Sequence, residues 1–175
     1  MTISKKVILV DENDNQIGVS RKLEAHQLGK LHRAFSVFIF NSKGELLIQK
    51  RASSKYHSGG LWSNTCCSHP KPGEDTLLTA RIRLKEEMGI NCDLKEIHKF
   101  IYKTKFSNGL TEYEYDHVLV GKSDALPIVD PEEAEDWKWV DPEKLREHIK
   151  NNPDQYAYWF KVCLDDVLEK NKKQG

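Results

Sequence analysis

No net charge, no paired-cysteine motif and no long apolar run mark this chain, and each lack removes a class of function. Lysine and arginine number 27 and so do aspartate and glutamate, giving a formal net charge of zero. With no global field to draw it onto a nucleic acid or an anionic membrane, any anion must be held by a local cluster of cations. The four cysteines, at 66, 67, 92 and 163, form no C-x-x-C pair. Adjacent Cys66 and Cys67 are poor disulfide partners, so all four are read as thiols in a reducing cytoplasm. No apolar run approaches the ~18 residues of a membrane span, and the start Met-Thr-Ile-Ser-Lys-Lys lacks an apolar signal core. Repeats, low-complexity tracts and interior linkers are also missing, so residues 1–175 are read as one domain with a frayed, lysine-rich tail at 169–175. A chain of this length buries roughly two thirds of the surface its unfolded form exposes.

What is present concentrates in the stretch Ser63-Asn64-Thr65-Cys66-Cys67-Ser68-His69-Pro70 and the acidic segment behind it. A thiol stands two residues from an imidazole, and Glu74, Arg83, Glu86 and Glu87 follow closely. Such a density of ionisable groups points to chemistry. Between Thr76 and Met88 the apolar Leu77, Ala80, Leu84 and Met88 recur at helical spacing, with Arg83, Glu86 and Glu87 along an adjoining edge. The spacing predicts an amphipathic helix that Gly89 stops. As a solvated face, its charges would amount to an Arg83–Glu87 pair stabilising by some tenths of a kcal/mol.

Apolar and β-branched runs at 6–10 and 16–20 flank a polar turn, and runs at 35–40 and 45–49 flank Asn41-Ser42-Lys43-Gly44; both read as hairpins. Residues 97–106 and 110–121 form a third around Ser107-Asn108-Gly109. In its second strand a period of two puts Glu112, Glu114 and Asp116 on one face, where Glu112 and Glu114, about 6–7 Å apart, either share a metal or line a half-exposed surface. The segment from Arg21 to His32 has mixed polarity and two histidines, His26 and His32; alone it reads as a surface loop. Lys50, Arg51 and Lys55, with Ser53 and Ser54 between, form a basic cluster suited to a phosphate or simply to solvent. A short strand at 137–140 and a helix capped by Asp141-Pro142 and running to about residue 150 come next. A last helix opens at Pro153 with Tyr156, Phe160, Cys163 and Val167 as its core stripe, leaving Trp159 off-centre and free to face a cleft. His57, His98, His117 and His148 have no motif behind them and are read as structural or surface groups.

The hairpins, the helix with Arg83, Glu86, Glu87 and Gly89, and the motif Cys67-Ser68-His69-Pro70 together resemble the type I isopentenyl diphosphate isomerases, a branch of the Nudix superfamily. The resemblance runs from Lys22 to at least Trp159. Laid on Ser68 to Ile90, the Nudix signature G-x5-E-x7-R-E-U-x-E-E-x-G-U, with U aliphatic, is met at Glu74, Leu84, Glu86, Glu87, Gly89 and Ile90. Ser68 replaces its first glycine, and Ile82-Arg83 replaces its Arg-Glu pair. In the hydrolases that glutamate helps hold the magnesium that activates water on a pyrophosphate, so Arg83 in its place suits an enzyme that binds a diphosphate and leaves it intact. The resemblance implies an α+β fold: a Nudix-like α/β/α sandwich with a mixed β-sheet, β-hairpins and flanking helices.

It also implies roles residue by residue. His26, His32, His69, Glu112 and Glu114 would hold a divalent ion. By ligand type the set suits Zn²⁺ or Mn²⁺, and by six-coordination Mn²⁺ or Mg²⁺. Lys22, Arg51, Lys55 and Arg83 would bind the substrate diphosphate, helped by a Mg²⁺ on Glu87, with no flavin required. Cys67 and Glu114 would be the proton-transfer pair, with Tyr102 hydrogen-bonded near Glu114 and with Trp62 and Trp159 lining the hydrocarbon pocket. The implied reaction, a step of isoprenoid biosynthesis, moves the double bond of isopentenyl diphosphate to give dimethylallyl diphosphate through a tertiary carbocation. It needs an acid and a base on opposite faces of the substrate. The preferred order has Glu114, with Tyr102, as donor and Cys67 as base; the sequence leaves the reverse open. Cys66, pointing oppositely in extended backbone, is expected in the core. The expected partner is the small-molecule diphosphate, with neither nucleic acid nor membrane, and the protein is expected to act as a cytoplasmic monomer. Competing readings are a Nudix hydrolase of a nucleoside diphosphate derivative, a noncatalytic Nudix-fold binding module, and a structural zinc site on Cys66, Cys67 and His69.

Overall fold

The computed structural model describes residues 5–174. The first hairpin forms as β1 (Lys6–Val10) and β2 (Gln16–Arg21). Helix α1 (Lys22–Leu28) follows where a surface loop was expected. Its residues are mostly good helix formers, but it has only seven of them and buries only Ala25 and His26, too short a face for a 3.6-residue period to show. Gly29 ends it in the left-handed conformation at φ 61°.

Strand β3 (His32–Phe40) is the spine of a nine-stranded mixed sheet. It turns through Gly44 into β4 (Leu46–Arg51), and two short strands, β5 (Trp62–Ser63) and β6 (Cys66–Ser68), lead to helix α2 (Thr76–Met88). The long hairpin β7 (Leu94–Lys105) and β8 (Thr111–Lys122) comes next, then β9 (Ala134–Val140), α3 (Pro142–Asn151) and α4 (Tyr158–Gln174). β8 lies parallel to β3, from His32 beside Glu114 to Phe40 beside Lys122. β6 runs antiparallel along the other edge of β3, with Ser36 beside Cys67. β5 and β9 flank β4.

Alternation along β3 and β8 explains the layers. Phe35, Val37, Ile39 and Leu119 face one side and pack with Leu84 and Met88 of α2. Phe38, Phe40, Val118 and Val120 face the other and pack with Phe160 and Leu164 of α4. At its other end this second face is polar, carrying His32 and Ser36 on β3 and Glu112, Glu114 and Asp116 on β8, all buried. The helices cover the apolar part and leave the polar end to line a cavity.

α2 has the predicted bounds. Asp75 caps it by accepting from the Leu78 N–H at 2.8 Å, and Gly89 ends it at φ 68°. Two expectations about the C-terminal segment change. α4 begins at Tyr158 rather than Pro153, which starts a separate 3-10 turn, Pro153–Gln155. The expected frayed tail is helical to Gln174, propagated from the buried turn at Val167 and Leu168 and joined by a Lys173–Glu169 pair at 2.7 Å; Gly175 lies outside the described residues.

Gly89 combines a left-handed φ with a close neighbour, since a Cβ there would lie 2.8 Å from Ile128 Cβ. Gly89→Ala should cost about 1–2 kcal/mol in backbone strain alone, lowering the urea midpoint. A wild-type midpoint would contradict this packing.

Candidate active site

The polar end of the β3/β8 face opens into a cavity of about 730 Å³. Four side chains gather on one side of it. His26 comes from α1, His32 from the start of β3, His69 from the residue after β6 and Glu114 from β8, and their donor atoms lie within 4.8 Å of one another. The His26 and His32 rings are 5.1 Å apart, as are those of His32 and His69. His69 Nε2 is 2.8 Å from Glu114 Oε1, and His32 Nε2 is 3.4 Å from the same oxygen.

These residues fit a divalent cation. The Nε2 atoms of His26 and His32 are buried with no hydrogen-bond partner, a costly arrangement unless something else meets them. His32 Nδ1 is 2.9 Å from the Lys30 carbonyl, to which it donates, leaving the Nε2 lone pair directed inward. Burial, reinforced by neighbouring histidines, brings His26 down to about 2, and burial brings His69 to about 4. Both imidazoles are therefore neutral ligands at physiological pH. Glu114 sits well below its usual range because His69 and His32 outweigh its burial, whereas burial beside Glu114 holds Glu112 well above. Glu112 lies outside the four-residue set, joined to it through the Tyr102 hydroxyl, which bonds Glu112 and, at 2.7 Å, Glu114.

Cys67 lines the same cavity. Burial, then the nearby Asp116, pushes its thiol up to about 12, and it donates to Asn64 Oδ1 at 3.0 Å. Ser36 approaches at 3.7 Å and itself donates to Asp116. Asn64 is wholly buried; its Oδ1 also accepts from Ser63 and from Trp159 Nε1 at 3.0 Å, while its amide nitrogen serves the Val37 and Cys66 carbonyls. Its flip state is thereby fixed, and one side chain orients both the thiol and the indole. Cys66 turns into the α2-side core.

The cations line the same cavity. Lys22, Arg51, Lys55 and Arg83 are among its walls, with Glu87 beneath Arg83. The Arg83–Glu87 pair is no solvated face: Glu87 is buried and lies 2.6 Å from Arg83, which also meets Glu86 at 2.6 Å and Glu133 at 3.2 Å. Lys55 pairs with Glu133 as well. Arg51 lies over the Trp159 ring, 5.0 Å from its centroid.

The aromatic expectations divide. Trp159 lines the cavity, but Trp62 is absent from its walls. Trp62 packs against the α4-side core and carries Lys138 Nζ 4.3 Å from its ring, because its place in β5 beside Lys50 turns it away. His57 was read as structural or surface, yet it is buried, lines the cavity, and reaches Glu112 at 3.1 Å while stacked on Phe106. Tyr56, Asn64 and Glu133 also stand at the site without a sequence signal. Tyr56 and His57 follow a basic cluster that reads as a solvated loop, and Asn64 and Glu133 act through contacts distant in sequence.

A mixed sheet between helices, with an acidic helix beside a cation-lined cavity, defines a Nudix-fold protein, and the NUDIX domain family matches residues 30–161. Among solved structures, one from Deinococcus radiodurans superposes with a TM-score of 0.78 at 22% identity, covering 93% of this chain and 98% of that one. The MutT protein of Methanosarcina mazei superposes at 0.68 with 18% identity, covering 81% and 96%. These two speak for the fold alone. Isopentenyl-diphosphate Delta-isomerase 2 of Aromatoleum aromaticum is 52% identical over 97% of this chain and 90% of its own length. Isopentenyl-diphosphate Delta-isomerase 1 of that organism is 55% identical over 93% and 92%, and Isopentenyl-diphosphate Delta-isomerase 2 of Photorhabdus laumondii 54% over 92% and 91%. The chain belongs to the isopentenyl-diphosphate Delta-isomerase family of Nudix proteins.

Burial, against the pull of Glu114, brings Lys22 to about 8. A cation so lowered is charged below that value and discharges as pH rises through it, so its contribution to binding an anion is lost from about pH 8 upward, by up to about tenfold per unit. Measured calorimetrically for inorganic diphosphate, wild-type affinity relative to Lys22→Arg should fall between about pH 7 and about pH 9. A flat ratio would contradict the cationic role of Lys22.

Proposed function

We infer that this chain is an isopentenyl-diphosphate Delta-isomerase, interconverting isopentenyl and dimethylallyl diphosphates by protonation and deprotonation through a tertiary carbocation. The observation that carries this reading is one cavity lined both by Lys22, Arg51, Lys55 and Arg83 and by Cys67, Tyr102, Glu114 and Trp159. The first set suits a diphosphate, the second a short hydrocarbon between an acid and a base.

The four cations hold the diphosphate, with Glu87 as the protein residue for a Mg²⁺ on it. His26, His32, His69 and Glu114 hold a second divalent ion, Mn²⁺, Mg²⁺ or Zn²⁺, with Glu112 at the edge of the set. When bound, that ion adds positive charge beside the Glu114 carboxyl and favours its loss of a proton. Glu114, steadied by Tyr102, donates to the terminal alkene carbon, and Cys67 takes a proton from the neighbouring methylene. A carboxyl of low pKa is the stronger acid and a thiolate of high pKa the stronger base. Each turnover leaves Glu114 a carboxylate and Cys67 a thiol, the resting state and the one from which the reverse reaction starts. Before the next forward turnover Glu114 takes a proton from solvent and Cys67 gives one up to solvent. Trp159, its indole fixed by Asn64, faces the developing cation, and the α4 side keeps out water that would trap it.

Arg83 favours isomerisation over hydrolysis of a nucleoside diphosphate derivative. Where a hydrolase has a glutamate for a water-activating metal, this chain presents a guanidinium bound to Glu86, Glu87 and Glu133. No described helix is long and apolar enough to cross a membrane. With all four cysteines free, we place the enzyme in the cytoplasm, acting as a monomer.

Proton NMR of isopentenyl diphosphate incubated with the protein, Mg²⁺ and Mn²⁺ should show dimethylallyl diphosphate accumulating. Orthophosphate release without that product would overturn the reading. Cys67→Ala should lower the rate by at least about 100-fold, and a wild-type rate would remove the thiol from the mechanism.

A further inference from the structure

The three histidines of the metal set differ in what holds them. His32 sits in the sheet interior with Nδ1 on the Lys30 carbonyl, and His69 follows β6 with Glu114 against its ring. His26 lies on a seven-residue helix, and its Nδ1 meets one side chain, the Tyr56 hydroxyl, at 2.7 Å. Tyr56 belongs to the loop between β4 and β5, distant in sequence from the helix it touches. The residue is 44% exposed while its hydroxyl meets the buried His26. An exposed tyrosine aimed at a buried imidazole, whose other nitrogen is left unpartnered, has the form of an outer support for a metal ligand.

The loop is fastened in that position. Asn108, in the turn between β7 and β8, donates to the Tyr56 carbonyl at 2.9 Å, and His57 stacks on Phe106 with ring centroids 4.8 Å apart. Lys22 Nζ lies 5.4 Å from the Tyr56 ring centroid. The neighbouring residues reach other parts of the site, Lys55 to Glu133 and His57 to Glu112. The hairpin that carries Glu112 and Glu114 thus also fixes the tyrosine that meets His26.

We propose that Tyr56 is a positioning residue of the metal centre: its hydroxyl accepts from His26 Nδ1–H and so directs the His26 Nε2 lone pair at the cation. This rests on the isomerase reading only in taking the His26, His32, His69 and Glu114 cluster as a metal site. Removing the hydroxyl leaves the ring, the Lys22 contact and the loop's ties in place, so its effect belongs to the hydrogen bond.

Cobalt(II) is a suitable probe because its visible absorption reports ligand geometry and its binding can be titrated without turnover. Tyr56→Phe should bind Co²⁺ about 10- to 100-fold more weakly than wild type, with altered visible bands and a wild-type far-UV circular dichroism spectrum of the metal-free protein. His26→Ala should be weaker still. Wild-type affinity and spectrum in Tyr56→Phe would overturn the proposal, as would wild-type binding by His26→Ala. A failure of isomerisation alone would count against the function and leave this comparison standing.

Discussion

The parallel pairing of β3 with β8 is the constraint on which the site depends. It sets His32 beside Glu114, puts Ser36 within reach of Asp116, and leaves the next residues of the same face apolar under α4. A slip of one residue would turn the imidazole and the carboxylates into the α2 core and bring Phe35 and Val37 to the cavity. The same register holds up the β7 side, where Tyr102 opposes Glu114. One strand pairing thus specifies both the hydrophobic layers and the placement of the acid.

Two of the four cations are paired with carboxylates before a substrate arrives. Lys55 and Arg83 meet Glu133, and Arg83 spans Glu86 and Glu87 as well. These pairs hold the cations where an anion can take over from the carboxylates. Elsewhere in the cavity the thiol is protonated and hydrogen-bonded to Asn64, and burial holds His26 and His69 well below the usual imidazole range.

Much of this was legible in the chain. The period-two alternation placed Glu112 and Glu114 on one face, the helical spacing gave α2 its bounds, and Cys67-Ser68-His69-Pro70 with the Arg83 substitution directed attention to a diphosphate that stays intact. What escaped was local geometry that composition does not carry. Seven-residue α1 was too short to declare a period, the polar end of α4 resembled solvent, and Trp62 looked like a pocket residue until its pairing beside Lys50 turned it away. Tyr56, His57 and Asn64 act through contacts across 30, 55 and 95 residues. No spacing rule links residues so far apart in the chain; the sheet register and the loop's attachment to the β7–β8 hairpin do.

The central claim is that two groups lining the one cavity, Glu114 and Cys67, handle two different protons. Mass spectrometry and NMR of dimethylallyl diphosphate formed in D₂O test it most directly. Because Glu114 takes its proton from solvent and Cys67 passes the one removed from substrate to solvent, the first-formed product should carry one deuterium in the newly made methyl group. Product without deuterium would mean that a single group carries the proton from one carbon to the other, and would contradict the account.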